Sequence, residues 1–311
     1  MLHHILIPLD GAKDSEAALP VAAYLALRSG ARATLLHVLE AQAPEMVHGQ
    51  THLRDEPHAQ EYLRHVAQTA FDPQVNVSLH VHTPAVAKLG TALEFHAEEL
   101  KADLVVMCAH GRVRLRDRLF GNLAQQILAT QACPVLLVDT RRKPEVITAA
   151  GAAATPPFER VLAPLNGQPG HEGALEMASY IAGLCRASLE LVTIVATVSS
   201  LRNGQAVSAV YLPTAASEEL RIQEQQAAQY LGELAARLAG KGLAITTRID
   251  RGDPARRIPA IARADKADLV VLASHGRAGS EAFWAGSVGA KVLRRTQASL
   301  LMVPAPPPKQ A

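Results

Sequence analysis

Ala102-Asp-Leu-Val-Val-Met-Cys-Ala-His-Gly-Arg112 returns later in the chain as Ala267-Asp-Leu-Val-Val-Leu-Ala-Ser-His-Gly-Arg277, at an offset of 276 − 111 = 165 residues. Self-similarity of this kind marks one folding unit written twice. The Leu-Val-Val-Met and Leu-Val-Val-Leu cores are apolar on both faces, as parallel strands covered by helices on each side require. A second pair of blocks agrees: His4-Ile-Leu-Ile-Pro-Leu-Asp-Gly11 matches Arg160-Val-Leu-Ala-Pro-Leu-Asn-Gly167 at an offset of 166 − 10 = 156. The offsets differ by 165 − 156 = 9 residues, which must lie between the matched blocks of the second copy. The polar stretch Ser199 to Ser208 is expected to hold them, because loops absorb insertions at little entropic cost.

Working outward from these blocks, short β-branched apolar runs alternate with longer segments of helical periodicity, a βαβ rhythm. Copy one predicts strands over Ile5–Leu9, Thr34–Leu39, Val75–Val81, Leu104–Ala109 and Val135–Val138. Copy two predicts them over Val161–Leu165, Leu189–Val195, Leu243–Ile249, Leu269–Ser274 and Leu300–Val303. Asp14 and Ser15 are expected to cap a helix with Leu19, Ala23 and Leu27 on one face, ending at Gly30; its counterpart runs from about His171 to Leu184. The fold class is α/β, with two tandem doubly wound sheets of five parallel strands. Arg141 to Pro157 has consecutive basic residues, an Ala/Gly run and Pro156-Pro157, and reads as a linker. The division expected is a first domain over 1–142, a linker over 143–157 and a second domain over 158–305, with Pro304 to Ala311 a frayed tail.

Composition excludes more than it identifies. With 311 residues and 49% hydrophobic content the chain has material for two cores. Lys plus Arg number 31 against 29 Asp plus Glu, a net +2 that provides no uniform field for coating DNA or a membrane. Aromatics at 4% are too sparse for rows of base-stacking platforms. Neither nucleic acid nor a membrane is therefore an expected partner, and no export signal or apolar span is recognisable. Three unclustered cysteines, Cys108, Cys133 and Cys185, fit a reducing compartment, so the expected location is the cytoplasm.

In an open α/β sheet ligands bind outside the carboxyl ends of the strands, where the winding reverses. There both copies carry Gly, nine residues, then Gly and a small polar residue opening an apolar-periodic helix: Gly111-x9-Gly121-Asn122 and Gly276-x9-Gly286-Ser287. Glycine lets backbone approach a ligand closely, and a capped helix N-terminus seats phosphate; the alternative is an ordinary loop and cap. There is no Gly-Lys-[Ser/Thr] of a Walker loop and no GxGxxG dinucleotide fingerprint.

The arrangement resembles the universal stress protein family, whose nucleotide-binding members carry Gly-x2-Gly-x9-Gly-[Ser/Thr] at this position, and the resemblance covers both halves. It implies adenine nucleotide alpha-hydrolase-like, Rossmann-like domains packed as a pseudo-dimer through their last strands, near Val135–Val138 and Leu300–Val303. Against the family pattern the first glycine is replaced in both copies, by Cys108 and by Ala273, and Asn122 stands for Ser/Thr. Any need for positive φ at the replaced glycines would be strained. The family also uses an Asp ending strand one for the ribose hydroxyls and a residue after strand two whose backbone reads adenine. Asp10 and Val38 occupy those positions in copy one, Asn166 and Ile194 in copy two. The nucleotide site implied in domain 1 is Pro8, Asp10, Val38, Met107, Cys108, His110, Gly111, Gly121, Asn122 and Leu123. In domain 2 it is Pro164, Asn166, Ile194, Leu272, Ala273, His275, Gly276, Gly286, Ser287 and Val288. Copy one keeps the better ribose end and copy two the better phosphate end.

Other features point less sharply. Arg112, Arg114, Arg116 and Arg118 could be drawn to phosphates, or could line a solvated loop with Asp117 as partner. Eleven of the thirteen histidines fall in the first half. His80 and His82 share one face of a strand and could begin a zinc site; with no HExxH or Cys/His spacing they read as surface histidines, and no metal site is expected. His110 and His275 could contact phosphate or shape the turn. Cys108 could be a redox-sensitive thiol, or a buried small residue. No nucleophile with a base can be recognised, so no catalytic residue is assigned.

By resemblance, the chain is expected to bind ATP or AMP, with or without Mg²⁺, in one or both domains as a sensor or regulatory ligand of the stress response. A weak ATPase is the most that enzymatic activity would amount to. A nucleotide-free scaffold for protein partners or a small apolar ligand is the alternative reading, supported by the two lost glycines. A homodimer and an unidentified protein partner are both open.

Overall fold

The structure is a computed structural model that describes residues 1–39, 46–47, 50–51, 53, 55–83, 89–109, 133–139, 155–167, 172–195, 197, 213–275 and 288–305. The chain divides into two compact units. The first consists mainly of Met1–Pro157 and takes in Ser299–Pro304; the second consists mainly of Phe158–Ala273.

In unit 1 the described elements are β1 (His4–Pro8), α1 (Lys13–Glu16), α2 (Leu19–Ser29), β2 (Arg32–Val38), the short β3 (Met46–Val47) and β4 (Gln50–Thr51), α3 (Glu56–Ala70), β5 (Val77–His82), α4 (Leu89–Glu99), β6 (Leu104–Ala109) and β7 (Val135–Asp139). Unit 2 has β8 (Arg160–Leu165), α5 (Glu172–Cys185), β9 (Ser188–Val195), α6 (Pro213–Ala239), β10 (Ile245–Arg251), α7 (Pro254–Ala264), β11 (Leu269–His275) and α8 (Val288–Arg295). The last strand, β12 (Ser299–Ala305), belongs largely to unit 1. All ten principal strands expected from the apolar runs are present. Ile5, Leu6 and Ile7 of β1 and Leu104, Val105 and Val106 of β6 have no exposed surface, which is why these strands show no polar alternation.

The sheet of unit 1 has the order β12-β7-β6-β1-β2-β5, and that of unit 2 the order β10-β9-β8-β11. The β5-β2-β1-β6-β7 ladder is parallel throughout. β12 runs antiparallel to β7, with Leu300 opposite Leu137, Leu301 opposite Leu136 and Met302 opposite Val135. Thus the last strands named in the sequence do pair, and unit 1 gains a sixth strand. Val135–Asp139 is buried along its whole length, so its outer row of N–H and C=O groups needs a protein partner. Pro304 and Ala305 extend this strand and are not part of a frayed tail.

The first helix differs from expectation. It is split into α1 and α2 at Ala17–Ala18, and Asp14 and Ser15 lie within α1 without capping it. Ser15 Oγ instead donates to the Ala12 carbonyl at 2.7 Å, and Pro20 sits in the first turn of α2, where a missing N–H costs nothing. The end at Gly30 is as expected: φ 71° makes it a left-handed C-cap. Ser199–Ser208, expected to hold the nine-residue insertion, lies outside the described residues. What is described is a much longer helix after the second strand: α6 has 27 residues where α3 has 15. Among the described residues no helix is long and apolar enough to cross a membrane.

One feature of the repeated Ala-Asp-Leu-Val-Val block is a backbone clamp made in both units. Asp103 Oδ2 accepts the N–H groups of His3 and His4 at 2.6 and 2.8 Å, and Asp268 Oδ2 accepts those of Glu159 and Arg160 at 2.7 and 2.9 Å. Each carboxylate therefore ties the start of its own strand to the start of the first strand of its unit.

Candidate functional site at the strand ends

The winding of unit 1 reverses beside β1. The chain steps from β1 to β2 to β5, returns through α4 to β6 on the opposite flank of β1, and goes on to β7. In an open α/β sheet such a switch point, at the carboxyl ends of β1 and β6, is where a ligand crevice is expected. Unit 2 repeats the pattern, stepping from β8 to β9 to β10 and returning to β11 beside β8.

In unit 1, Pro8 closes β1 and Asp10 follows, half-buried. The Ala12 N–H donates to Asp10 Oδ1 at 2.9 Å, a local turn that fixes the carboxylate; Oδ2 has no hydrogen-bond partner among the described residues. Between them Gly11 has φ +87°, a conformation L side chains rarely adopt, and a Cβ there would come within 2.9 Å of Leu53 Cδ1. Val38 closes β2, buried at 7% exposure. Met107 and Cys108 are buried near the end of β6, in register with Leu137 and Val138 of β7.

Cys108 is a structural thiol. Its Sγ donates to the Ser15 carbonyl at 3.2 Å, and burial pushes its pKa up to about 12, with the carboxylates of Asp10 and Asp14 adding to the rise. The Ala18 backbone N–H favours the thiolate but is outweighed by burial, so the redox reading of this cysteine is not supported. The position where the family pattern has a glycine is strand backbone: neither Cys108 nor Ala273 has positive φ. The strain foreseen at the two replaced glycines is therefore absent.

Sequence reasoning missed the groups beside Asp10. Tyr62 of α3 donates its hydroxyl to Glu16 Oε1 at 3.2 Å, and its pKa is raised far above the usual phenol range, first by burial, then by Glu16 and Asp10. Tyr62 is thus a protonated donor in an acidic corner. It lies 52 residues from Asp10 on another element, so no local spacing announces it. His110, Gly111, Gly121, Asn122 and Leu123 lie outside the described residues, as do Arg112, Arg114, Arg116 and Arg118.

In unit 2, Pro164 is half-buried within β8, and Asn166 is exposed beyond its end, followed by Gly167 at φ +75°. Ile194 is half-buried in β9, Leu272 is buried and Ala273 half-buried in β11, and His275 ends that strand. Val288 opens α8 and is 40% exposed. Gly276, Gly286 and Ser287 lie outside the described residues. The two corners differ in charge: a fixed carboxylate with buried neighbours after β1, and an exposed neutral amide after β8.

Comparison with known proteins follows this two-copy layout. The profile of the universal stress protein family matches residues 1–139 and again 157–304. A universal stress protein of Synechocystis is 28% identical over 138 residues, spanning 44% of this chain and 86% of that protein. Among solved structures, a universal stress protein from Archaeoglobus fulgidus superposes with a TM-score of 0.64 at 16% identity, covering 97% of this chain and 96% of that one. A functionally unknown protein from Pseudomonas aeruginosa gives 0.65 at 16% identity, covering 98% and 93%. These likenesses show a fold shared along the whole chain.

Proposed function

The chain belongs to the universal stress protein family over both of its halves, and from that premise we propose that it binds an adenine nucleotide, ATP or AMP, as a regulatory ligand of the stress response. The observation that carries this reading is Asp10. Its carboxylate stands at the switch point between β1 and β6, with Oδ1 held by the Ala12 N–H and Oδ2 without a partner among the described residues. A carboxylate fixed in this way suits a pair of ribose hydroxyls, which it would hold by charge-assisted bonds. Val38 at the end of β2 offers its backbone to the base, and Gly11 keeps the entrance free of a side chain.

The phosphates are assigned to the loops after β6 and β11, on Gly111, Gly121 and Asn122 in the first domain and on Gly276, Gly286 and Ser287 in the second. Regular strand backbone at Cys108 and Ala273 supports this, because a small side chain there demands no unusual φ. Domain 1, with its carboxylate, is the tighter ribose site; Asn166 makes only neutral bonds. The domains of the proposal are 1–142 and 158–305, each carrying one seat, in the cytoplasm. In this reading the ligand is read out by the protein, with a weak ATPase the most that turnover would amount to.

Calorimetric titration of the full chain with ATP and AMP, with and without Mg²⁺, tests this. Asp10→Ala should weaken the tighter site about tenfold or more, the cost of one charge-assisted bond. An Asp10→Ala protein that binds as well as the parent overturns the ribose assignment, and a parent that binds neither nucleotide overturns the proposal in favour of the scaffold reading.

A further inference from the structure

Three imidazoles meet on unit 1 beside its edge strand β5. His80 and His82 alternate on β5, so both project to the same face of the sheet, opposite Leu36 and Val38 of β2. α4 brings His96, which is only 3% exposed, against these two rings. One ring nitrogen from each of the three histidines lies within 4.8 Å of the others, and His96 Nε2 is 2.9 Å from His82 Nδ1. The rings meet edge to face: the His80 and His82 centroids are 4.4 and 4.7 Å from that of His96, at 62° and 74°.

The orientation of His96 is set from behind. Its Nδ1 lies 2.9 Å from Glu99 Oε2, one turn further along α4. An ionised carboxylate can only accept, so Nδ1 carries the proton and Nε2 presents a lone pair toward the other two rings. A carboxylate fixing the tautomer of a histidine whose other nitrogen faces a cluster of donors is the usual outer shell of a histidine-bound metal.

The fold does not require this cluster, because the second copy builds the same place differently. Ala102 N–H bonds to the Ala97 carbonyl as Ala267 N–H bonds to that of Ala262, which makes Ile261 the counterpart of His96 and Ala264 that of Glu99. His82 pairs with Val38 as Asp250 pairs with Ile194, which places Arg248 and Asp250 where copy one has His80 and His82. There Asp250 takes an ion pair from Arg257 at 2.6 Å, and Ile261 is buried at 2% exposure. The second unit fills these places with an ion-paired Arg248 and Asp250 and a buried Ile261, whereas the first sets two half-buried rings against the buried ring of His96 with their nitrogens converging.

We propose that His80, His82 and His96 form a binding site for a divalent transition-metal cation of borderline softness, Zn²⁺ above all, with Glu99 as its outer-shell support. Three neutral imidazoles suit zinc, copper or nickel and not the oxygen-seeking Mg²⁺ or Ca²⁺. Zinc–nitrogen bonds of about 2.0–2.1 Å in a tetrahedron set the donors about 3.3 Å apart. The donor separations, from 2.9 Å between His96 and His82 up to at most 4.8 Å, bracket that spacing, and His80 and His82 are both half-buried. Three protein ligands leave the fourth position to water or an exogenous ligand.

Titrating untagged, chelator-treated full-length protein with ZnCl₂ by calorimetry, and with CoCl₂ by visible absorption, tests the site. The expected result is one Zn²⁺ per chain and the spectrum of tetrahedral Co²⁺. His96→Ile, which copies the residue the sister unit already buries, should keep the thermal transition yet weaken Zn²⁺ by at least about 100-fold, and His82→Ala likewise. Glu99→Gln should weaken it about 10–100-fold, as loss of an outer-shell partner does. His58→Ala, at an exposed histidine bound to Asp55, should change nothing. Unchanged zinc affinity in a folded His96→Ile, or equal losses in His58→Ala and His82→Ala, would overturn the proposal.

Discussion

Asp139 donates its backbone N–H to Ser299 Oγ at 3.1 Å, although 160 residues separate them, and both residues are buried. This contact marks where the end of the chain completes the sheet of unit 1. Ser299→Ala leaves a buried N–H short of its partner, which should cost about 1–3 kcal/mol. Leu301→Ala, at a side chain with no exposed surface, should cost about 2–5 kcal/mol. Urea unfolding measures both, and variants as stable as the parent would mean that β12 contributes no packing to unit 1.

The clamps at Asp103 and Asp268 predict matched effects in the two units. Asp103→Ala removes the acceptor of two backbone N–H groups at the start of β1, and Asp268→Ala does the same for β8. Each should lower stability by about 2 kcal/mol. Asp103→Asn keeps an oxygen acceptor without the charge and should recover part of the loss.

Thiol reactivity follows from burial. With its pKa pushed up to about 12, Cys108 is almost wholly protonated at pH 8, and Cys133 is held up to the same extent for the same reason. Alkylation by iodoacetamide at pH 8, followed by peptide mass spectrometry, should leave both unmodified in the folded protein and modify both in urea. Rapid labelling of Cys108 in the native state would contradict the packing described at Ser15.

His4 predicts a pH dependence with a definite sign. It is 2% exposed, with Nδ1 2.8 Å from the Leu100 carbonyl and Nε2 2.8 Å from Thr34 Oγ1. The carbonyl can only accept, so in the neutral ring Nδ1 donates to it and Nε2 accepts from Thr34. Burial lowers the pKa below the ordinary histidine value. The unfolded chain therefore binds this proton more readily, and stability falls as pH drops from the ordinary value through the lowered folded one. Thermal midpoints measured from pH 7.5 down to pH 5 should fall, and His4→Gln should flatten part of that decline.

Much of this architecture could be read from apolar runs, because strands buried on both faces leave an uninterrupted signature; Leu104–Ala109 matches to the residue. Helix ends were less legible. The break at Ala17–Ala18 depends on Ser15 bonding back to Ala12 and on Asp10 holding Ala12, contacts that composition does not encode. The histidine pair was visible by its spacing of two, but His96 enters from a crossover helix 14 residues after His82, a distance with no periodic meaning until β5 and α4 are packed. Tyr62 joined the Asp10 corner in the same way. The assignment of Ser299–Pro304 to unit 1 depends on a partner strand far away in sequence, whereas the strand itself was plain from Leu-Leu-Met-Val.

The most direct test of the central claim is nucleotide content. Freshly purified full-length protein, denatured and analysed by mass spectrometry and ion-pair chromatography, should release ATP or AMP, or, if stripped, should take it up saturably in titration. About one mole released per chain from the tighter first-domain seat, and clearly less from Asp10→Ala, is the result predicted. No released adenine nucleotide and no titration signal up to millimolar concentration would contradict it.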